Sequence, residues 1–368
     1  MAIFTTSEPQ RPKHPRLGRR IGWALVVVAV IGAVILGNTP SSYVIEKPGP
    51  VYNTIGRTTV DHKVVPVVSI SGRKTYPTSG SLDMLTVNVD GDPDQPADWA
   101  EVASAWFDPS QAVVPIDEVY APKETVEQSN KQGSEEMTDS QQQATAAALY
   151  EQGIPFESTI TVYGTAKGSP AVGTLRKGDI LTSVDGKTFV DADQLHSIVA
   201  AHGTASPVTI GFTRKGEAQT VELTPQASSQ GPFIGVYLTE KYSFPFPVKI
   251  QLQDVGGPSA GMMFALGIID KLTPGKLNGG NRVAGTGTIT AFGSVGAIGG
   301  IRQKMYGARA AGAKYFLAPA SNCGGSDGVR GHIPSGLTVY ATSTLRQSVT
   351  ALKAISTGIG LNKLKTCG

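Results

Sequence analysis

The stretch Gly256-Gly257-Pro258-Ser259-Ala260-Gly261 runs straight into the apolar segment Met262–Ile269 (MMFALGII). This junction constrains the chain more than any other stretch. Pro258 and the glycines predict a tight turn, and the apolar run predicts a buried helix behind it. Ser259 therefore falls at a helix N-terminus. Free backbone N–H groups and the positive end of the helix dipole favour negative charge at such a point. Serine is also a common N-cap. The position supports either a helix cap or a nucleophile beside an oxyanion site.

A second segment bears on that choice. Ile301 to Gly312 (IRQKMYGARAAG) predicts a helix closed by Gly312. Ile301, Met305, Ala308 and Ala311 form one apolar stripe, with Arg302 and Arg309 on the other side. Lys304 falls inside the stripe, where a lysine is uncommon. Such a lysine either snorkels to water or sits in a closed site as an amine able to take a proton from a serine.

Three strings then carry a family resemblance: Asp254-Val-Gly-Gly-Pro-Ser-Ala-Gly, Val283-Ala-Gly-Thr-Gly-Thr-Ile, and Gly293-Ser-Val-Gly-Ala-Ile-Gly-Gly-Ile-Arg-Gln-Lys304. Their order resembles the proteolytic domain of Lon peptidases over roughly residues 229–356. The resemblance implies an α+β fold of the ribosomal protein S5 domain 2-like type. It implies a Ser-Lys dyad with Ser259 as nucleophile and Lys304 as general base. It also makes Thr286 a supporting residue that helps to position the lysine. Many Lon proteases carry an aspartate three residues before the serine; here that position is Gly256. Asp254 is out of register and takes no such role. The family's six-membered rings imply a homo-oligomer, with a hexamer as one form.

A further string, Ser169-Pro-Ala-Val-Gly-Thr-Leu-Arg-Lys-Gly-Asp-Ile-Leu followed by Val184-Asp-Gly-Lys, resembles a bacterial PDZ domain. Such domains bind extended peptides by adding a strand to a sheet edge. Tyr163-Gly-Thr-Ala-Lys-Gly is the candidate binding loop. Ahead of it, Asp139-Ser140 resembles an N-cap for a helix over Gln141–Gln152 closed by Gly153. Residues 90–139 are acidic and proline-punctuated.

Near the N-terminus, Ile21 to Gly37 gives 17 uncharged residues, the lower limit for a membrane span. Arg11, Lys13, Arg16, Arg19 and Arg20 precede it, which places the N-terminus in the cytoplasm and the rest outside. A cleaved signal peptide is the rival reading. Leu36-Gly37-Asn38-Thr39-Pro40 lacks a small-x-small cleavage site, which favours a retained anchor. The organisation expected is a cytoplasmic basic tail (1–20), a transmembrane anchor (21–37), an N-terminal part of the catalytic fold (38–153), an inserted PDZ domain (154–228) and the Lon-like domain (229–368).

Only Cys323 and Cys367 are present, both beyond the anchor, where a disulfide can form; two free thiols are the alternative. His14, His62, His196, His202 and His332 are scattered, so no metal centre is expected. Gly186-Lys187-Thr188 echoes a phosphate loop, but Leu181 stands where the required glycine would be. No cofactor is expected. A net charge of +3 with no basic, aromatic-interleaved tract argues against nucleic acid as a partner. The expected function is an ATP-independent, membrane-anchored serine endopeptidase acting on unfolded or exported proteins, its PDZ domain capturing or gating substrate. The alternative is a non-catalytic PDZ scaffold at the membrane.

Overall fold

The computed structural model describes residues 16–37, 39–229, 231–325 and 328–368. The chain divides into two units, one made of residues 1–46 and 89–123, the other of 47–88 and 124–368.

In the first unit, helix α1 (Arg16–Leu36) presents exposed apolar side chains, Trp23, Leu25 and Val28 among them. Its charge-free part, Ile21–Leu36, rises roughly 24 Å at 1.5 Å per residue, less than a bilayer core of about 30 Å. Among the described residues no helix is long and apolar enough to cross a membrane. Helix α2 (Trp99–Ala105) starts at a capping box in which Asp98 accepts from Glu101 N–H and the Glu101 carboxylate accepts from Asp98 N–H. A short helix, α3 (Ile116–Val119), follows. Tyr43–Glu46 pair antiparallel with Ala112–Pro115. Ile45, Ala97, Val102 and Ala105 form the small core, with Tyr43 packed edge-on against Trp99.

The second unit is mixed α/β. The strands Thr338–Thr342, Tyr315–Pro319, Arg282–Gly285 and Ser81–Asp90 lie side by side in that order, each pair parallel. Parallel neighbours need crossover connections; the one from Arg282–Gly285 to Tyr315–Pro319 carries the helix Ile301–Ala310, and the one from Tyr315–Pro319 to Thr338–Thr342 carries only a 3-10 turn at Ala320–Asn322. Alternation along the strands sends Val283, Leu317 and Tyr340 to one core and Ala284, Phe316, Ala318, Val339 and Ala341 to another. The first core takes helices α4 (Val126–Glu151), α6 (Gly261–Leu272) and α8 (Leu345–Thr357). The second takes helix α7 (Ile301–Ala310).

Helix α6 is the buried helix expected behind the Pro258 turn. Gly261 to Asp270 are all buried. Helix α4 departs from expectation. It begins at Thr125, whose hydroxyl accepts from Gln128 N–H in a capping box, and Asp139 and Ser140 lie in its middle. Residues 126–139 hide this because they are polar, with Met137 the one large buried apolar side chain among them.

A five-stranded antiparallel sheet carries the remaining strands in the order Glu217–Leu223, Val208–Arg214, Ile180–Val184, Glu157–Thr165 and Val236–Ser243. Helix α5 (Ala192–His202) packs on it over a core of Val162, Leu181, Leu195, Val199, Ile210 and Phe212. The sheet reaches past residue 228, because Val236–Ser243 pairs along the whole of Glu157–Thr165.

Candidate active site

Helix α6 is capped by backbone alone: Ala260 is the N-cap and makes no side-chain cap bond. Ser259 is therefore one residue ahead of the cap. Its Oγ accepts a hydrogen bond from Lys304 Nζ at 2.9 Å. Lys304 is 4% exposed, beside Ile301, Met305 and Ala308 on the buried face of α7, while Arg309 on the other face is exposed. The snorkelling alternative is thereby set aside. Ser259 does not cap the helix; its hydroxyl meets Lys304 instead.

The entry to α7 is tightly built. Gly300 is left-handed (φ 64°), and a Cβ there would lie 2.5 Å from Val87 Cγ2. Only glycine meets both demands. Just before it, the side-chain amide of Asn322 brackets Ile298. Asn322 Oδ1 accepts from Ile298 N–H at 2.9 Å, and Nδ2 donates to Ile298 O at 2.9 Å. The neighbouring Cys323 is bonded to Cys367 across 44 residues. The chain-entropy model gives about 4 kcal/mol for a loop of that length.

The serine turn is held from two sides. Thr286 is 1% exposed and its hydroxyl donates to the Ser259 carbonyl at 2.9 Å. Gly287 N–H donates to the same carbonyl at 2.9 Å. The family resemblance implies that Thr286 helps to position the lysine; the bond described here is to the serine's own backbone. From the opposite side, α4 offers the Gly133 carbonyl to Gly257 N–H at 2.8 Å and the Ser140 hydroxyl to the Pro258 carbonyl at 3.0 Å. The sequence reading did not assign this role to Ser140. Asp254 is exposed with a φ of 55°.

A Ser, His, Asp grouping occurs elsewhere. His202 Nδ1 lies 2.7 Å from Asp185 Oδ2, and Nε2 lies 3.1 Å from Ser206 Oγ. Nε2 is equally 3.1 Å from the Ser206 carbonyl. His202 thus bridges Asp185 and Ser206 and ties down the turn after α5. His332 Nδ1 meets the Gly328 carbonyl in a loop. Among the described residues no three His, Cys, Asp or Glu side chains are arranged to hold a metal ion.

A groove of about 580 Å³ lies between α5 and the segment Phe233–Leu238. Leu195, His196 and Val199 form one wall, and Ile234, Val236 and Leu238 the other. Val236–Ser243 is the sheet's edge strand. The expected loop Tyr163–Gly168 contributes only Ala166.

Residues 253–354 match the family profile of the Lon protease (S16) C-terminal proteolytic domain, and residues 135–224 match that of the PDZ domain. Both domains are present in this chain. Lon protease 1 of Sorangium cellulosum is 36% identical over 93 residues, which is 25% of this chain and 11% of that protein. The Lon protease of Desulforamulus reducens is 29% identical over 163 residues, 44% of this chain and 19% of that protein. The chain thus spans only 11% to 19% of these relatives. Among solved structures, the PDZ domain of an SdrC-like protein from Listeria monocytogenes is 21% identical. That match covers 22% of this chain and 85% of that one, with a TM-score of 0.20. The matched Lon segment contains Ser259, Thr286 and Lys304 together.

Proposed function

We propose that the chain is a serine endopeptidase that works without ATP. The observation carrying this reading is the 2.9 Å bond from a buried Lys304 Nζ to Ser259 Oγ. Lys304 takes the hydroxyl proton, and Ser259 Oγ attacks the scissile carbonyl carbon. The oxyanion is held by backbone N–H groups at the Ser259–Ala260 turn, where the dipole of α6 adds to the attraction. Lys304, now charged, returns its proton to the leaving amine. Water then attacks the acyl ester, and the serine is regenerated. Thr286, Gly287 and Ser140 hold the turn in place throughout.

The PDZ groove takes an extended polypeptide as an added strand along Val236–Ser243 and delivers it to the dyad. Unfolded or exported proteins are substrates suited to that mode. The basic residues ahead of Ile21 and the exposed apolar surface of α1 support membrane attachment, with the catalytic unit outside the cytoplasm. Snorkelling arginines and local bilayer thinning would accommodate the short apolar stretch. Assembly as a homo-oligomeric ring belongs to the same reading.

The test is cleavage of an unfolded protein by the purified chain without nucleotide, against Ser259→Ala. Equal cleavage by the two proteins would sink the proposal.

A further inference from the structure

Helix α4 carries several hydroxyl side chains, and most turn back on the helix itself. Ser134 donates to the Asn130 carbonyl, Thr138 to the Ser134 carbonyl and Thr145 to the Gln141 carbonyl, at 2.8–2.9 Å. This back-bonding to the carbonyl four residues earlier is the default for such residues in a helix. Ser140 departs from it. Its hydroxyl reaches 118 residues along the chain to the Pro258 carbonyl at 3.0 Å.

The surroundings leave Ser140 little choice of geometry. It is 5% exposed on the face that also presents Gly133, Met137 and Ala144. A Cβ on Gly261 would lie 2.9 Å from Ser140 Oγ and 2.7 Å from Ile289 Cγ2. A Cβ on Gly256 would meet the Gly133 backbone at 3.2 Å. Glycines at 256 and 261 thus let the nucleophile turn lie close against α4, and the hydroxyl is fitted into that contact. The bonded carbonyl belongs to the residue immediately before the nucleophile.

We infer that Ser140 is a positioning residue for Ser259. Its hydroxyl fixes the Pro258–Ser259 peptide unit, and with it the direction in which Ser259 Oγ faces Lys304 Nζ. Thr286 and Gly287 hold the carbonyl of Ser259 itself; Ser140 holds that of the residue before it. With Ser140 silent, the unit can rotate about its flanking torsions and the Ser259–Lys304 contact lengthens. A displacement near 1 Å at reacting atoms costs on the order of 100-fold in rate. The inference rests on the peptidase reading above.

The test uses the full chain and two readouts: the rate at which a serine-reactive fluorophosphonate modifies Ser259, and kcat and KM for a small fluorogenic peptide. Ser140→Ala is compared with Thr145→Val, which removes a buried hydroxyl bonded within the same helix. The expected result is labelling and kcat at least about ten-fold lower in Ser140→Ala with KM within about two-fold, as befits lost alignment. Thr145→Val should keep wild-type kcat. Ser140→Ala within two-fold of wild type overturns the inference, and so does an equal loss in both variants, which marks general damage to α4. Should Ser140→Ala fail to fold, the isosteric pair Ser140→Thr and Ser140→Val decides: the hydroxyl variant should label at least ten-fold faster, and equal rates overturn the inference. Failure of the wild-type chain to label at all is distinguishable from these results. It overturns the peptidase reading, and this inference with it.

Discussion

The side-chain amide of Asn322 forms two hydrogen bonds with the backbone of Ile298, one donated and one accepted, each 2.9 Å long. Ile298 is followed by Gly299 and the left-handed Gly300, and then by α7, which carries Lys304. Asn322→Ala leaves both Ile298 groups without that partner. Each unsatisfied group costs about 1–3 kcal/mol when shielded from water. We expect a lower melting temperature and a several-fold drop in kcat as the entry to α7 loosens. Asn322→Asp keeps the acceptor and loses the donor, so it should fall between Asn322→Ala and wild type. Thermal melts alongside peptide hydrolysis check both.

The proposed Ser259–Lys304 dyad gives a stability prediction that separates chemistry from folding. Lys304 is buried among Ile301, Met305 and Ala308. Lys304→Met retains its length and removes the need to bury an amine. Activity should vanish while the unfolding free energy is unchanged or rises by about 1 kcal/mol, because apolar replacements of buried charged groups are commonly neutral or stabilising. Ser259→Ala should be equally inactive, and the double variant no worse than either, since the two act as a unit. Measurable turnover by Lys304→Met at neutral pH contradicts a lysine base.

Much of this centre is legible in the sequence because it is local. A serine before a buried helix and a lysine on an apolar helical stripe are patterns of a few neighbouring residues. The count of two cysteines leaves a disulfide and two free thiols open, and only the fold brings Cys323 and Cys367 together. Ser140 illustrates the limit. An aspartate-serine pair ahead of an Ala/Gln-rich helix has the composition of an N-cap, and nothing within ten residues says otherwise. Its partner, Pro258, is 118 positions away. Thr286 behaves similarly: its place in the motif is readable, its bond to the Ser259 carbonyl is not. The groove wall Ile234–Leu238 was likewise hidden, since it becomes a binding surface only when α5 packs opposite it.

Asp191 predicts a pH effect at the junction of the PDZ sheet with the catalytic fold. Burial pushes its carboxyl up to about 6, with Glu240 and Asp193 adding repulsion, although Gln194 N–H donates to Asp191 Oδ1. In the unfolded chain the value is about 3.9. Between those values the folded state binds the extra proton. The penalty is therefore fully present above about pH 6 and relieved as pH falls toward 4. Asp191→Asn keeps a side-chain oxygen for the α5 cap and removes the charge. It should be more stable than wild type at pH 8 by about 1–2 kcal/mol, and the gain should shrink toward pH 5. Denaturant melts at both pH values test this; a gain that grows on acidification contradicts it.

The groove prediction asks whether peptide capture and chemistry are separable. His196 is exposed on α5 and lines the groove, apart from the buried core formed by Leu195 and Val199. His196→Trp fills the channel beside the edge strand Val236–Ser243 without disturbing that core. A tethered groove raises the effective concentration of a bound chain near the dyad, an effect worth about 10²-fold or more when geometry permits. On the proposed function a small fluorogenic peptide needs no capture and reaches Ser259 directly. We therefore expect hydrolysis of that peptide to stay within about two-fold of wild type, and cleavage of an unfolded protein to fall about ten-fold or more at low substrate concentration. The loss should appear in KM and be overcome by raising substrate. Unchanged processing of the unfolded protein removes capture from the function of the groove. A matching loss for both substrates shows instead that the groove acts on the catalytic centre, for which α4 offers the structural path: Asp139, Gln142 and Gln143 line a cleft with Ala192 and Leu238, two residues that also wall the groove.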